Sequence, residues 1–266
     1  MNEHIVVSRE GHLGRIILNR PERRNAMSSE LMLEVAAALR ELATGDDVQA
    51  IVIEGAGMAF SAGHDMTEMR DRDLGFYQQL FDTCIEMMET IHHVPQPVIA
   101  KVHGLATAAG CQLVAACDLV VAADDAWFAT PGVKIGLFCS TPMVPISRAV
   151  GRKRAMEMLL TGEPITAETA RDWGLVNRVV AAEDLEEATL DLIERITRFS
   201  PVVIGIGKEA FYTQIELAEH DAYEHTRDVM SSNATIPDAQ EGIGAFLDKR
   251  APVWAHARGT GSGEES

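Results

Sequence analysis

Short, unbroken apolar runs recur along this chain, each followed by small or turn-forming residues and then by a helical pattern. Ala50-Ile51-Val52-Ile53 runs into Gly55, and Asp118–Ala123 is apolar from Leu119 onward. The first run reads as a buried strand and the second as another strand. Gly14–Asn19, Pro97–Val102 and a short Leu175–Val180 read as further strands. Helices fall between them. Ser28 caps one whose apolar positions are Leu31, Val35, Leu39 and Leu42, and Gly45 ends it. Leu74–His92 carries Phe76, Leu80, Cys84, Met87, Met88 and Ile91 on one stripe and is stopped by Pro95 and Pro97. Thr107–Cys117 is a third. Strand–helix alternation of this kind predicts an α/β fold.

From about Pro201 the character changes. Ile204–Leu217, Glu219–Met230 and Asp238–Asp248 read as helices with no strong strand between them. The expected organisation is a core over residues 1–200, a helical region over 201–258, and a disordered tail over 259–266, rich in Gly, Ser and Glu. The 266 residues suffice for a large core. A net charge of −17 argues against nucleic acid as a partner, because phosphate backbones require a basic face. A phosphorylated ligand held by a few local cations remains compatible. Cys84, Cys111, Cys117 and Cys139 show no metal or redox spacing and are expected as buried free thiols in a reducing compartment. The first residues, Met1–Ile5, have no secretory character, and no apolar run reaches the length of a membrane span. A cytoplasmic location, with no membrane partner and no metal, is therefore expected.

Two segments carry the chemistry. The first is Phe60-Ser61-Ala62-Gly63-His64-Asp65-Met66. The second is Val102-His103-Gly104-Leu105-Ala106-Thr107-Ala108-Ala109-Gly110-Cys111-Gln112. Each places small residues where bare backbone must approach something: Ala62-Gly63 in one, Ala108-Ala109-Gly110 in the other. Two backbone N–H groups aimed at a thioester carbonyl oxygen stabilise an enolate or a tetrahedral oxyanion, and losing one such donor costs about 3 kcal/mol. The second segment also opens a helix, whose N-terminus suits a developing negative charge. Taken singly, either segment serves tight packing equally well. Together on one α/β scaffold they favour a ligand.

These residues resemble the crotonase family, the enoyl-CoA hydratase and isomerase superfamily. Phe60–Met66 is similar to its FxxGxDL-type segment, and Val102–Leu119 to its second signature. The likeness continues through Phe128–Gly132, Arg148–Arg152, Leu160–Ile165, Ala170–Val180 and Phe246–Arg250. The resemblance implies a spiral of ββα units with an α-helical C-terminal trimerisation region, and trimers pairing into hexamers. It implies an acyl-CoA substrate, with coenzyme A entering as the thioester and no separate cofactor, and a place in fatty acid metabolism. The oxyanion donors would be the N–H groups of His64 and Ala109. Ala62, His64, Asp65 and Met66 would border the thioester. Arg23, Arg24 and Lys249 would meet CoA phosphates, Lys249 from a neighbouring subunit. Solvated surface charge is the other reading of these three.

The same resemblance implies two catalytic glutamates, at the positions held here by Gln112 and Gly132. A carboxylate exchanges a proton near neutral pH, whereas a glutamine amide only donates and accepts hydrogen bonds. Glycine offers only room, which some relatives fill with a carboxylate from elsewhere or an external anion. Phe138-Cys139-Ser140-Thr141-Pro142, with Gly63-His64-Asp65, most resembles a subgroup known only as enoyl-CoA hydratase domain-containing. Cys139 either lines the acyl group or attacks it. His64 either contributes its imidazole or turns it away from the ligand. Asp65 reads as a loop-fixing acceptor. Trp127, Phe138 and Met143 read as pocket walls or core.

Overall fold

The computed structural model describes residues 3–45 and 47–255, so the segment 256–266, including the expected tail, lies outside the described residues. A large sheet is ordered β1 (Ile5–Glu10), β2 (Leu13–Leu18), β3 (Ala50–Gly55), β5 (Val98–Val102), β7 (Leu119–Ala123) and β10 (Arg178–Val180). The β1–β2 hairpin is antiparallel and every later pairing in that sheet is parallel. A small sheet holds β4 (Ala59–Ser61), β6 (Leu105–Thr107), β8 (Trp127–Ala129) and β9 (Ile165–Thr166). Its first three strands are parallel to one another, and β9 runs antiparallel to β8.

The helices are α1 (Ser29–Ala43), α2 (Leu74–His93), α3 (Ala109–Ala116), α4 (Met143–Val150), α5 (Arg152–Thr161), α6 (Ala167–Trp173) and α7 (Leu185–Thr197). They are followed by α8 (Pro201–Gln214), α9 (Glu219–Asn233) and α10 (Pro237–Asp248). The repeat is visible in the order β3-β4-α2, β5-β6-α3, β7-β8-α4: one strand in each sheet, then a helix. Ser28 caps α1 by accepting from the Leu31 N–H at 3.2 Å, and Asp73 caps α2 by accepting from Phe76 at 2.8 Å. The apolar stripes of α1 and α2 are buried against each other and the sheet. Each fully buried Leu or Met side chain there contributes roughly 1.5–3 kcal/mol.

The structure departs from the sequence expectations in several places. The helix expected from Thr107 begins at Ala109, because Leu105–Thr107 pairs with β4 and β8 and Ala108 takes a left-handed φ. The strand expected from Leu175 narrows to Arg178–Val180, where it meets β7. The β1 hairpin arm was not foreseen, since only Ile5 on it is buried.

A buried polar cluster ties the helical region to the core, beside an exposed Arg148–Glu216 ion pair at 3.2 Å. Lys208 on α8 donates to the carbonyls of Ile91 and Gln96 and to Asp118 Oδ2, at 2.6–2.8 Å. Tyr212 donates to Asp118 Oδ1 at 2.7 Å and stacks on His92 with ring centroids 3.9 Å apart. Removing the cation of a buried pair strands its partner. Lys208→Met is therefore expected to lower unfolding stability by about 3 kcal/mol in urea titrations. A loss under about 0.5 kcal/mol, the size of an ordinary surface substitution, would contradict this anchoring role.

Candidate functional site

The candidate residues leave the C-terminal ends of three adjacent parallel strands. Residues 62–66 follow β4, residues 108–112 follow β6, and residues 130–132 follow β8. Open parallel sheets present ligand sites at that end. Two glycines let the first two segments touch. Gly63 has φ +90°, and a Cβ there would lie 2.8 Å from Ala108 Cβ and 3.1 Å from Ala109 N. At Gly110 a Cβ would sit 2.4 Å from the Ser61 carbonyl oxygen. Thr107 Oγ1 adds a bond to the Ala62 carbonyl at 3.0 Å. Ala108 adopts φ 50°, ψ −118°, a strained conformation for a residue with a Cβ, and so turns the chain sharply into α3.

This turn exposes backbone donors. The N–H of Ala109 opens α3 and has no carbonyl one turn behind it. On the first segment, Met27 donates to the Gly63 carbonyl at 2.8 Å and accepts from Asp65 N–H at 3.0 Å. Amides alternate in direction along extended backbone, so the His64 N–H faces away from Met27.

Asp65 fixes this loop as expected. It accepts from Thr67 N at 3.1 Å, from Thr67 Oγ1 at 2.6 Å and from Arg20 Nη2 at 2.9 Å. Burial pushes its carboxyl up, but the Thr67 hydroxyl and Arg20 outweigh this and hold it below the ordinary carboxylate value. Arg20 also donates to the Ala26 carbonyl at 2.6 Å. Nothing in the sequence around Arg20 marks it as the partner of Asp65; only the folded loop does. Arg23 and Arg24 are exposed beside this loop, and the Arg24 carbonyl accepts from Ala62 N–H at 2.9 Å. Ala62 is half-buried and Met66 exposed. Lys249 is exposed at the C-cap of α10.

The His64 ring lies edge-on to Phe81 of α2, with centroids 5.5 Å apart. Both ring nitrogens are buried without a hydrogen-bond partner. Burial lowers its pKa to about 4, despite an opposing pull from the Met27 carbonyl, so the imidazole is neutral at pH 7. Gln112 is 3% exposed, and its Oε1 accepts from Cys84 Sγ at 3.9 Å. The four thiols are free and buried. Burial pushes Cys84 and Cys111 up to about 12 and raises Cys139, the last partly offset by the Gly132 N–H. None of them is a thiolate at neutral pH. Trp127, Phe138 and Met143 are each 38–39% exposed, which places them at the surface rather than in the core.

Gly132 corrects an expectation. It does not leave room. A Cβ at this position would lie 2.0 Å from the Leu137 carbonyl oxygen and 2.8 Å from Cys139 Sγ. The turn is closed by Leu137 N–H donating to the Gly132 carbonyl at 3.0 Å, and Cys139 packs into the space a side chain would need. An apolar cavity of about 550 Å³ lies elsewhere, between α8, α10 and Trp254, and shares no residue with this site.

Comparison with known proteins covers nearly the whole chain. The family model described as enoyl-CoA hydratase/isomerase matches residues 8–257. The mouse protein enoyl-CoA hydratase domain-containing protein 3, mitochondrial, is 45% identical over 242 residues, covering 91% of this chain and 81% of the relative. A crystal structure of an enoyl-CoA hydratase from Mycobacterium smegmatis superposes with a TM-score of 0.92 at 45% identity, covering 94% of this chain and 98% of the other. The human enoyl coenzyme A hydratase domain-containing protein 3 gives 0.92 at 43% identity, over 95% of this chain and 100% of that one. The α/β architecture is that of the crotonase structures.

Two outcomes follow from this geometry. Gly132→Glu is expected to cost about 1–3 kcal/mol of stability, as overpacking does, measured by denaturant titration. An undiminished midpoint would mean that the 137–139 turn yields freely. The stability contributed by ionised Asp65 is present above the ordinary carboxylate pKa and is lost as pH falls through the lower folded-state value. Wild type and Asp65→Asn should therefore differ most in stability near pH 7 and converge in acid. A gap that does not change with pH would contradict the ionised role.

Proposed function

The chain belongs to the enoyl-CoA hydratase/isomerase family, and from that premise we propose that it is an acyl-CoA-binding enzyme whose thioester oxygen sits between the backbone N–H groups of His64 and Ala109. The abutment of Gly63 on Ala108–Ala109 carries this reading, since it sets the two donor segments side by side at the end of the small sheet. Arg23 and Arg24, at the rim of the same loop, are suited to CoA phosphates. Lys249 would serve the same phosphates from a neighbouring copy. The exposed apolar side chains of α10, Phe246 and Leu247 among them, support subunit contacts there and a trimeric or hexameric assembly. The mitochondrial location in the mouse relative's name argues against the cytoplasmic expectation. The free buried thiols fit a reducing compartment of either kind.

The donors activate a carbonyl, but the side chains around them offer no free base, since the Asp65 carboxylate is engaged by Arg20 and Thr67. His64 is neutral with a pKa of about 4, Gln112 is an amide, and the nearby thiols keep their protons. Water addition by a pair of glutamates is therefore not the reaction this site favours. General acid–base groups contribute roughly 10²–10⁴-fold in rate each. The same observation favours a second reading, in which the enolate forms without proton removal. A thioester bearing a β-carboxylate would lose carbon dioxide, leaving its bonding electrons in the enolate held by His64 and Ala109, which is then protonated at carbon. A non-catalytic thioester binder is the limiting case of the same site.

Calorimetry with short and medium acyl-CoAs tests the binding step. Wild type is expected to bind, and Gly63→Ala, with a Cβ against Ala108, to bind at least about tenfold more weakly. Absence of binding across the panel would defeat the proposal. With crotonyl-CoA and malonyl-type thioesters as substrates, product mass spectrometry separates hydration from decarboxylation. Hydration at a rate typical of enzymes, about 10 s⁻¹, would refute the absence of a base.

A further inference from the structure

Gln112 is a buried polar side chain at the site with a protein partner on only one end of its amide. It lies on the first turn of α3, three residues after Ala109, and is 3% exposed. Its Oε1 faces Cys84 Sγ of α2 at 3.9 Å. Its Nε2 hydrogen-bonds no group among the described residues. That nitrogen is not among the fully enclosed polar atoms without a partner, so it keeps a path to solvent along which a ligand acceptor can reach it.

The orientation of that amide is set from behind. A thiol is a donor, and Cys84 keeps its proton because burial drives its pKa up to about 12. It therefore selects the carbonyl end of Gln112 and leaves the NH₂ end for the opposite side. Cys84 and Phe81 occupy positions three apart on one face of α2, and Phe81 packs against the His64 ring. One helix face thus backs both segments: Phe81 under His64 and Cys84 under Gln112. Ala109 and Gln112 are likewise three apart on α3, so the amide lies one turn along from the N–H assigned to the thioester oxygen.

We propose that Gln112 reads the acyl group, donating a hydrogen bond from Nε2 to an oxygen carried beyond the thioester carbonyl, and that Cys84 is the positioning residue that holds it in the donating orientation. The substrate class is then an acyl-CoA with an acceptor oxygen on the carbons next to the thioester, a 3-oxo or 3-hydroxy group or a β-carboxylate, in preference to a plain alkyl chain. This rests on the acyl-CoA reading above. It assigns Gln112 binding and orientation, not proton transfer.

The test is calorimetric, on the full-length protein, with butyryl-CoA, 3-hydroxybutyryl-CoA and acetoacetyl-CoA. Wild type is expected to bind the two oxygenated ligands roughly 5–10-fold more tightly than butyryl-CoA, the worth of one hydrogen bond. Gln112→Leu should abolish that preference. Cys84→Ala should reduce it while leaving the butyryl-CoA affinity unchanged, and Cys84→Ser, which restores a donor, should keep it. A merely structural Cys84 would weaken all three ligands alike. The infrared S–H stretch of Cys84 should shift to higher frequency in Gln112→Leu without any ligand, which reads the contact even if Cys84→Ala fails to fold. Equal affinity of wild type for all three ligands would overturn the inference and leave the acyl-CoA reading standing. Failure to bind any of them would defeat both.

Discussion

The close approach of Gly63 to Ala108 and Ala109 is the contact on which the rest of the site depends. A single methyl group at Gly63 would fall 2.8 Å from another Cβ, inside the contact distance of two carbons. Because the glycine is bare, β4 and β6 can end side by side and release their chains in the same direction. The strain at Ala108, with φ 50°, follows from the same requirement, since α3 must begin at once for Ala109 to face its neighbour's loop. Asp65 and Arg20 hold the other side of the junction with charge-assisted hydrogen bonds. The fold supplies rigid strands, and the glycines set the spacing between them.

The electrostatic character of the site follows from burial more than from formal charge. Beyond the Asp65–Arg20 ion pair, a chain of net charge −17 surrounds side chains that are neutral at pH 7: an imidazole, an amide and protonated thiols. In the proposed oxyanion site, backbone dipoles would dominate the local field and favour negative charge on a ligand oxygen. Such a site is suited to stabilising electrons that the substrate itself provides. It is poorly suited to taking a proton away.

Much of the scaffold was legible in the sequence, and the reasons are specific. The stripes of α1 and α2 extend over four and five turns, enough for helical periodicity to declare itself, and Ser28 marks the start of the first. The runs at Ala50–Ile53 and Leu119–Ala123 are buried on both faces and therefore lack alternation. The strands β4, β6 and β8 span three residues each, too short for any period, so the small sheet that carries the site was invisible. The two small-residue segments were readable because close approach demands particular residue types. Gly132 was misread, because a glycine looks the same in sequence whether it borders empty space or a crowded carbonyl. Arg20 and Cys84 were missed as supports of Asp65 and Gln112, since their partners lie 45 and 28 residues away along the chain.

A site of this kind makes one geometric demand. In a crystal structure with an acyl-CoA bound, the thioester oxygen should lie about 2.7–3.1 Å from both His64 N and Ala109 N, the spacing of oxyanion donors. No carboxylate of the protein should lie within about 3.5 Å of the carbons adjacent to the thioester, the reach of a reacting group. A thioester bound with its oxygen away from both N–H groups, or with an Asp or Glu oxygen against those carbons, would contradict an oxyanion site that works without a base.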